Sequence, residues 1–110
     1  MKPLALRQHA TATGPVLRVT GDLDYDQAPV LRGRLDQLSL APGQCLVLDL
    51  AGLEFCDSSG ITALLAARQH ALAAGADIVL AAVPANLLRV LTLVGLDQVF
   101  TLRPDSSAAS

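Results

Sequence analysis

The chain has 110 residues, which is long enough for one domain with one hydrophobic core and too short for two. Hydrophobic residues make up 52% of it but aromatic residues only 3%, so Ala, Leu and Val must build the core and small residues are expected where helices pack. The net charge is −2, the Lys and Arg residues are scattered and charged residues interrupt every apolar run, which argues against direct nucleic-acid binding and against membrane insertion.

The N-terminus and the cysteines bear on the cellular compartment. No apolar stretch with a cleavage site follows Met1-Lys2-Pro3, so a cytoplasmic protein is expected. The two cysteines are Cys45 and Cys56. In a cytosolic chain they are expected to be reduced and to serve as small buried hydrophobes.

The first half of the chain predicts a hairpin, a helix and a central strand. Alternating residues from Leu4 predict a short first strand, and a second strand is expected at 16–19, after a turn at Gly14-Pro15. The run 45–50 has the length of a strand buried on both faces and is expected at the centre of the sheet. Between them, apolar residues at intervals of three and four predict a helix with Pro29 in its first turn; they are Ala28, Leu31, Leu35 and Leu38.

The second half predicts two more helices and a further strand. A strand is expected at 77–82, and a short segment at 99–101 follows the last helix. The second helix ends at Gly75 and is indicated by residues at helical spacing, which are Ile61, Leu64, Leu65, Arg68 and Leu72. The third lies between Pro84 and Gly95, and its inward positions are expected to be Leu87, Leu88, Leu91 and Val94.

Strands that alternate with helices define the fold class. We expect a single α/β domain with a mixed β-sheet of four to five strands and three to four helices packed against it. The domain is expected to span residues 1–103, followed by a disordered C-terminal tail at 104–110.

The segment Asp57-Ser58-Ser59-Gly60 lies where a loop becomes the second helix. The first N–H groups of a helix lack partners within it and attract negative charge. Asp57 is suited to cap this helix, Ser58 then falls in its first turn with an accessible hydroxyl, and Gly60 has no side chain to obstruct a partner. From the residues alone, two interpretations stay open: serines that cap a helix, and a phosphate acceptor.

The sequence around this segment resembles a known family. Leu48-Asp49-Leu50 and, further on, Asp57-Ser58-Ser59-Gly60-Ile61 resemble the signature of bacterial anti-sigma factor antagonists, which are STAS domains. Gly21-Asp22-Leu23-Asp24 resembles the family's loop after its second strand, and 88–100 resembles its final helix and strand. The resemblance covers nearly the whole chain before the tail.

This resemblance implies a binding switch rather than an enzyme, with no cofactor of its own. Ser58 carries over as the residue phosphorylated by an anti-sigma factor that is also a serine kinase, and a Ser/Thr phosphatase resets it. The unphosphorylated form binds the kinase and so releases a sigma factor. Cys56 stands where the family usually has an apolar residue, which suggests a redox-sensitive thiol as an alternative to a small hydrophobe. The partner-binding residues are expected to be Asp22, Leu23, Asp24, Asp57, Ser59, Gly60 and Thr62.

Two other functions stay open. The same fold and serine position serve in constitutive STAS subunits, such as one that braces the ATPase of a membrane lipid-transport ABC complex. Asp22 and Asp24 are also compatible with a small aspartate-dependent phosphoryl-transfer enzyme. Neither a metal site nor a Ser-His-Asp triad is expected, because His9 and His70 lack metal-ligand spacing and neither lies near Ser58 in the sequence.

Overall fold

The computed structural model describes residues 2–105, so Met1 and residues 106–110 of the expected tail lie outside the described part. Within it the chain forms six strands, three α-helices and one 3₁₀ helix. In chain order they are β1 (Ala5–Thr11), β2 (Gly14–Leu23), α1 (Ala28–Gln37), β3 (Cys45–Asp49), β4 (Leu53–Cys56), α2 (Ser58–Ala73), β5 (Asp77–Ala81), α3 (Ala85–Leu93), the 3₁₀ helix (Leu96–Gln98) and β6 (Thr101–Arg103).

The strands form one mixed sheet, which confirms the expected α/β class. Its order is β1-β2-β3-β5-β6, with β4 paired to β2, so β3 lies at the centre as predicted. Only β1 is antiparallel to its neighbour; β2, β3, β5 and β6 pair in parallel, as do β2 and β4. The strand beyond the expected four to five is β4, which is only four residues long and continues the line of β3 along β2.

The β1–β2 hairpin is confirmed, but its turn is not where the sequence placed it. The turn consists of Ala12 and Thr13, and Gly14 is already the first residue of β2. Gly14 has a φ of +142°, and a Cβ there would lie 2.3 Å from the carbonyl oxygen of Cys45. The glycine is therefore required by the close approach of β3 rather than by a turn.

The core has two layers on opposite faces of the sheet. The larger cluster joins alternate strand residues, such as Leu17, Leu48 and Leu80, to the helices. On the other face lies a smaller cluster of Val16, Val47, Val79 and Ala81. No helix among residues 2–105 is long and apolar enough to cross a bilayer.

The buried face of α2 consists mostly of small residues. Of the residues whose spacing indicated this helix, Leu64 is buried whereas Leu72 is 47% exposed. Small side chains let α2 approach α1 and the sheet closely, which confirms the expectation of small-residue packing. The buried residues of α2 are Gly60, Ala63, Leu64, Ala67 and Ala71.

Helix α1 buries its predicted face, and α3 does so only in part. Ala28, Leu31 and Leu35 of α1 are buried. In α3, only Leu87 and Leu91 are buried, and the expected inward positions Leu88 and Val94 are exposed. Val94 is the C-cap of α3, and the next residue, Gly95, takes a φ of +79°.

Candidate functional site

The sheet brings two sequence-distant segments together at one edge. Strands β2 and β4 are parallel neighbours, with Leu23 opposite Cys56. The Asp57 N–H donates to the Leu23 carbonyl oxygen at 3.3 Å. The loop after β2 and the start of α2 therefore lie side by side, as the carboxyl ends of adjacent parallel strands must.

Asp57 caps α2. Its Oδ1 accepts a hydrogen bond from the Gly60 N–H at 3.0 Å, and its carbonyl oxygen accepts from the Ile61 N–H at 3.0 Å. Ser58 is the first helical residue and is exposed, whereas Ser59 is half-buried. The N–H groups of both serines fall in the first turn, where the helix offers no carbonyl acceptor and the helix dipole favours an anion.

Gly60 is buried, and its lack of a side chain is required by close packing inside the domain. A Cβ at this position would lie 2.5 Å from the Leu23 carbonyl oxygen and 2.6 Å from Cys56 Sγ. The glycine thus lets α2 start against the ends of β2 and β4. Leu23 is completely buried as well. Gly60 and Leu23 are therefore not exposed in the domain, and their expected contact with a partner stays a prediction.

The two aspartates after β2 differ in their surroundings. Asp24 is buried, and its Oδ1 accepts from the Gln27 N–H at 3.0 Å. The Asp24 carbonyl oxygen also accepts from the Ala28 N–H at 2.8 Å. Asp24 therefore braces the loop that leads into α1, and its expected contact with a partner stays a prediction. Because the Asp24 carboxylate is buried and already hydrogen-bonded, it also argues against the phosphoryl-transfer interpretation, which needs an available carboxylate.

Asp22 is one of three half-buried or exposed carboxylates near the ends of β2 and β4. Its Oδ2 accepts from the backbone N–H of Lys2 at 3.1 Å. The Lys2 ammonium in turn lies 2.8 Å from Glu54 Oε2, in an exposed ion pair that raises the pKa of Lys2. Asp22, Glu54 and Asp57 lie on β2, β4 and the start of α2, and are termed the acidic edge below.

A groove of about 420 Å³ lies between the starts of α1 and α2. Tyr25, Arg32 and Ser59 contribute to its walls together with Thr62, whose hydroxyl donates to the Ser58 carbonyl oxygen at 2.9 Å. Tyr25 is 77% exposed. Tyr25 and Arg32 could not be predicted as part of this site from the sequence, because only the packing of α1 against α2 brings them beside Ser59.

The Cys56 thiol is a poor candidate for a redox sensor. Burial, with a smaller effect of the neighbouring Asp57 carboxylate, raises the pKa of Cys56 to about 12. The reactive thiolate is therefore scarce at neutral pH. Cys45 and Cys56 are both free thiols and both half-buried rather than buried, and burial raises the pKa of Cys45 too.

The histidines lie away from Ser58. His70 is twelve positions further along α2, with Nε2 3.4 Å from the Leu38 carbonyl oxygen, and His9 is on β1. Among residues 2–105, no three His, Cys, Asp or Glu side chains are placed to hold a metal ion together.

The family to which the chain belongs is shown by its match to a known protein-family model. The family model described as "Mlab, STAS domain" matches residues 6–104, so the chain belongs to this STAS family.

Solved structures with this fold include regulators and transporter domains. An anti-sigma factor antagonist from Mycobacterium paratuberculosis is 26% identical, with a TM-score of 0.83 over 96% of this chain and 90% of that one. The Bacillus cell fate determinant SpoIIAA in its phosphorylated form is 20% identical, with a TM-score of 0.72 over 96% of both chains. A sulfate transporter family protein from Wolinella succinogenes is 20% identical, with a TM-score of 0.74 over 86% of this chain and 79% of that one.

Proposed function

We propose that this STAS domain is an anti-sigma factor antagonist: a cytoplasmic binding protein, not an enzyme, that is switched by phosphorylation of Ser58. In the unphosphorylated form, the surface around Ser58 binds an anti-sigma factor serine kinase and so releases a sigma factor. A Ser/Thr phosphatase restores that form. The observation that carries the proposal is the position of Ser58, exposed at the first residue of a capped helix in a domain similar to an anti-sigma factor antagonist.

The start of α2 can accept a phosphate without loss of the fold. A phosphoserine carries a charge of about −1.5 to −2 at neutral pH. The N-terminus of a helix stabilises such a charge through its dipole and its free N–H groups. Ser58 is exposed, and the cap contacts of α2 are made by Asp57 and not by the Ser58 hydroxyl. Phosphorylation is therefore expected to change the surface and not the stability of the domain.

The surface is sensitive to added negative charge. A dianion on Ser58 would adjoin the Asp57 carboxylate of the acidic edge. A partner that binds the unphosphorylated surface would then face roughly two additional negative charges there. A loss of about 3 kcal/mol of binding free energy lowers affinity by about a hundredfold. That is enough to exchange partners at fixed concentrations.

The neighbouring serine provides the control for the experiment. Wild type, Ser58→Ala and Ser59→Ala are expressed in the native host, and each purified domain is subjected to intact-mass analysis and phosphopeptide mapping. We expect one phosphate in wild type and in Ser59→Ala, and none in Ser58→Ala. A phosphate that persists in Ser58→Ala would refute Ser58 as the acceptor.

A second candidate is a constitutive STAS subunit of a membrane transport complex, such as a lipid-transport ABC complex. The likeness to a sulfate transporter family protein favours it, because the same fold is found in proteins of that class. In this case binding of the partner must not depend on the state of Ser58. Absence of phosphate in wild type under every growth condition would make this candidate the better one.

A further inference from the structure

Helix α3 leaves large apolar residues uncovered. Val90, Leu93 and Val94 are 40%, 78% and 59% exposed, while Leu87 and Leu91 on the adjoining face are buried. Because they are three and four positions apart, the exposed three lie on one side of the helix. Neighbouring exposed apolar residues of this size mark an interaction surface more often than scattered ones do.

The uncovered side of α3 continues onto β4. A groove of about 150 Å³ separates the two elements, with Val90 on one wall and Phe55 on the other. Phe55 is 49% exposed although it lies in a strand whose first residue, Leu53, is buried. Phe55, Val90, Leu93 and Val94 are termed the apolar strip. Phe55 and Val90 line the groove, which can receive an apolar side chain, and Leu93 and Val94 lie beyond it.

The acidic edge borders the apolar strip. Glu54 lines the same groove, and Asp22 lies opposite Phe55 in the pairing of β2 with β4. Lys2 forms an exposed ion pair with Glu54, and Arg89 of α3 is exposed. An exposed pair such as Lys2 with Glu54 is weak and can be exchanged for a cation of a partner.

From this arrangement we infer that the apolar strip is a docking groove for an amphipathic helix of a partner protein. The helix has apolar residues on the face that meets the strip and Lys or Arg on the flank that meets the acidic edge. Charge complementarity selects this occupant, because an acidic helix would face the carboxylates of Asp22 and Glu54. Recognition through apolar anchors one helical turn apart is a common mode of helix binding. The inference rests on the proposed function in taking the partner to be a protein bound at this end of the domain.

The test uses synthetic peptides of about 18 residues, five turns of helix. One peptide has Leu on one face and Lys on the other, a second has Glu in place of Lys, and a third is a scrambled Leu/Lys sequence with no apolar face. Each is titrated into the ¹⁵N-labelled domain at physiological salt, with NMR shifts as the readout. We expect the amphipathic Lys peptide alone to bind, with the largest shifts at Phe55, Val90 and Leu93.

Two leucines give a matched pair of variants. Leu93→Ala removes an anchor of the strip, and Leu72→Ala removes a leucine that is 47% exposed in α2, outside the strip. We expect Leu93→Ala to weaken binding of the amphipathic Lys peptide at least tenfold and Leu72→Ala to leave it unchanged. The inference would be overturned if the two variants bound the Lys peptide equally well, or if the Glu peptide bound as well as the Lys peptide. It would also be overturned if the NMR shifts lay at another surface or if no peptide bound.

The outcomes separate this inference from the proposed function. Peptide binding at the strip in a domain that is never phosphorylated on Ser58 would support the docking groove and refute the switch. A phosphate on Ser58 in a domain that binds no amphipathic peptide would support phosphorylation at Ser58 and refute the docking groove.

Discussion

The packing of Gly60 leads to a prediction about how the start of α2 is held. A Cβ on this residue would lie 2.5 Å from the Leu23 carbonyl oxygen and 2.6 Å from Cys56 Sγ. The Asp57 N–H holds that carbonyl at 3.3 Å, so the start of the helix has to move away from the strand. Overpacking of this kind costs about 1–3 kcal/mol. Alanine in place of a helical glycine recovers about 1 kcal/mol. Because both contacts are severe, we expect Gly60→Ala to destabilise the domain by about 1–2 kcal/mol.

Gly33 of α1 supplies the matched control, because a Cβ there would meet no other atom within 4 Å. Gly33→Ala gains helix propensity without a clash and is expected to stabilise the domain by about 1 kcal/mol. The free energies of unfolding are measured by urea titration with far-UV circular dichroism. The two variants are expected to differ by about 2–3 kcal/mol. If Gly60→Ala proved as stable as Gly33→Ala, the account of the close packing at the start of α2 would be wrong.

Three further predictions concern individual side chains. Asp57→Ala removes the cap of α2, and we expect thermal unfolding to show a loss of about 1 kcal/mol in the free energy of unfolding. Asp57→Asn retains a side-chain acceptor and should be nearly as stable as wild type. Asp49→Ala removes a buried carboxylate that accepts from the Ala51 N–H at 3.0 Å, and we expect it to lower the free energy of unfolding by about 1–2 kcal/mol. Arg18→Ala removes the exposed ion-pair partner of Asp49, 3.5 Å away, and should lower the free energy of unfolding by less than about 1 kcal/mol. Because burial raises the pKa of Cys56 to about 12, iodoacetamide labelling of this thiol at pH 8 should be much slower in the folded than in the unfolded chain, as read by mass spectrometry. The same shift favours the folded state most at pH below about 9, so its contribution to stability should fall as pH rises from 9 towards 12.

The fold was largely predictable because large apolar residues mark most elements. Leu31 and Leu35 of α1 lie on the face that their spacing indicates, and the run 45–50 does contain the central strand. In α2 the spacing of large residues correctly predicted a helix but did not indicate its buried face, which is mainly Gly and Ala. The spacing was wrong at Leu88 and Val94, because α3 and its C-cap expose apolar residues that the rest of the domain does not cover.

The candidate site was predictable in its local parts and not in its tertiary parts. A capping Asp57 before an exposed Ser58 follows from the helix start alone. The burial of Leu23 and Asp24 depends on how the loop after β2 packs against β4 and α1, which the local sequence does not encode. The exposure of Phe55 likewise depends on the gap between β4 and α3.

The central claim is that phosphorylation of Ser58 weakens partner binding at the surface without unfolding the domain. The most direct test is calorimetric titration of the host kinase that modifies the domain, with unphosphorylated and fully Ser58-phosphorylated domain, and thermal unfolding of both forms in parallel. We expect affinity to fall by about a hundredfold, about 3 kcal/mol, with little change in melting temperature. Equal affinity of the two forms would contradict the switch and leave a constitutive binding domain.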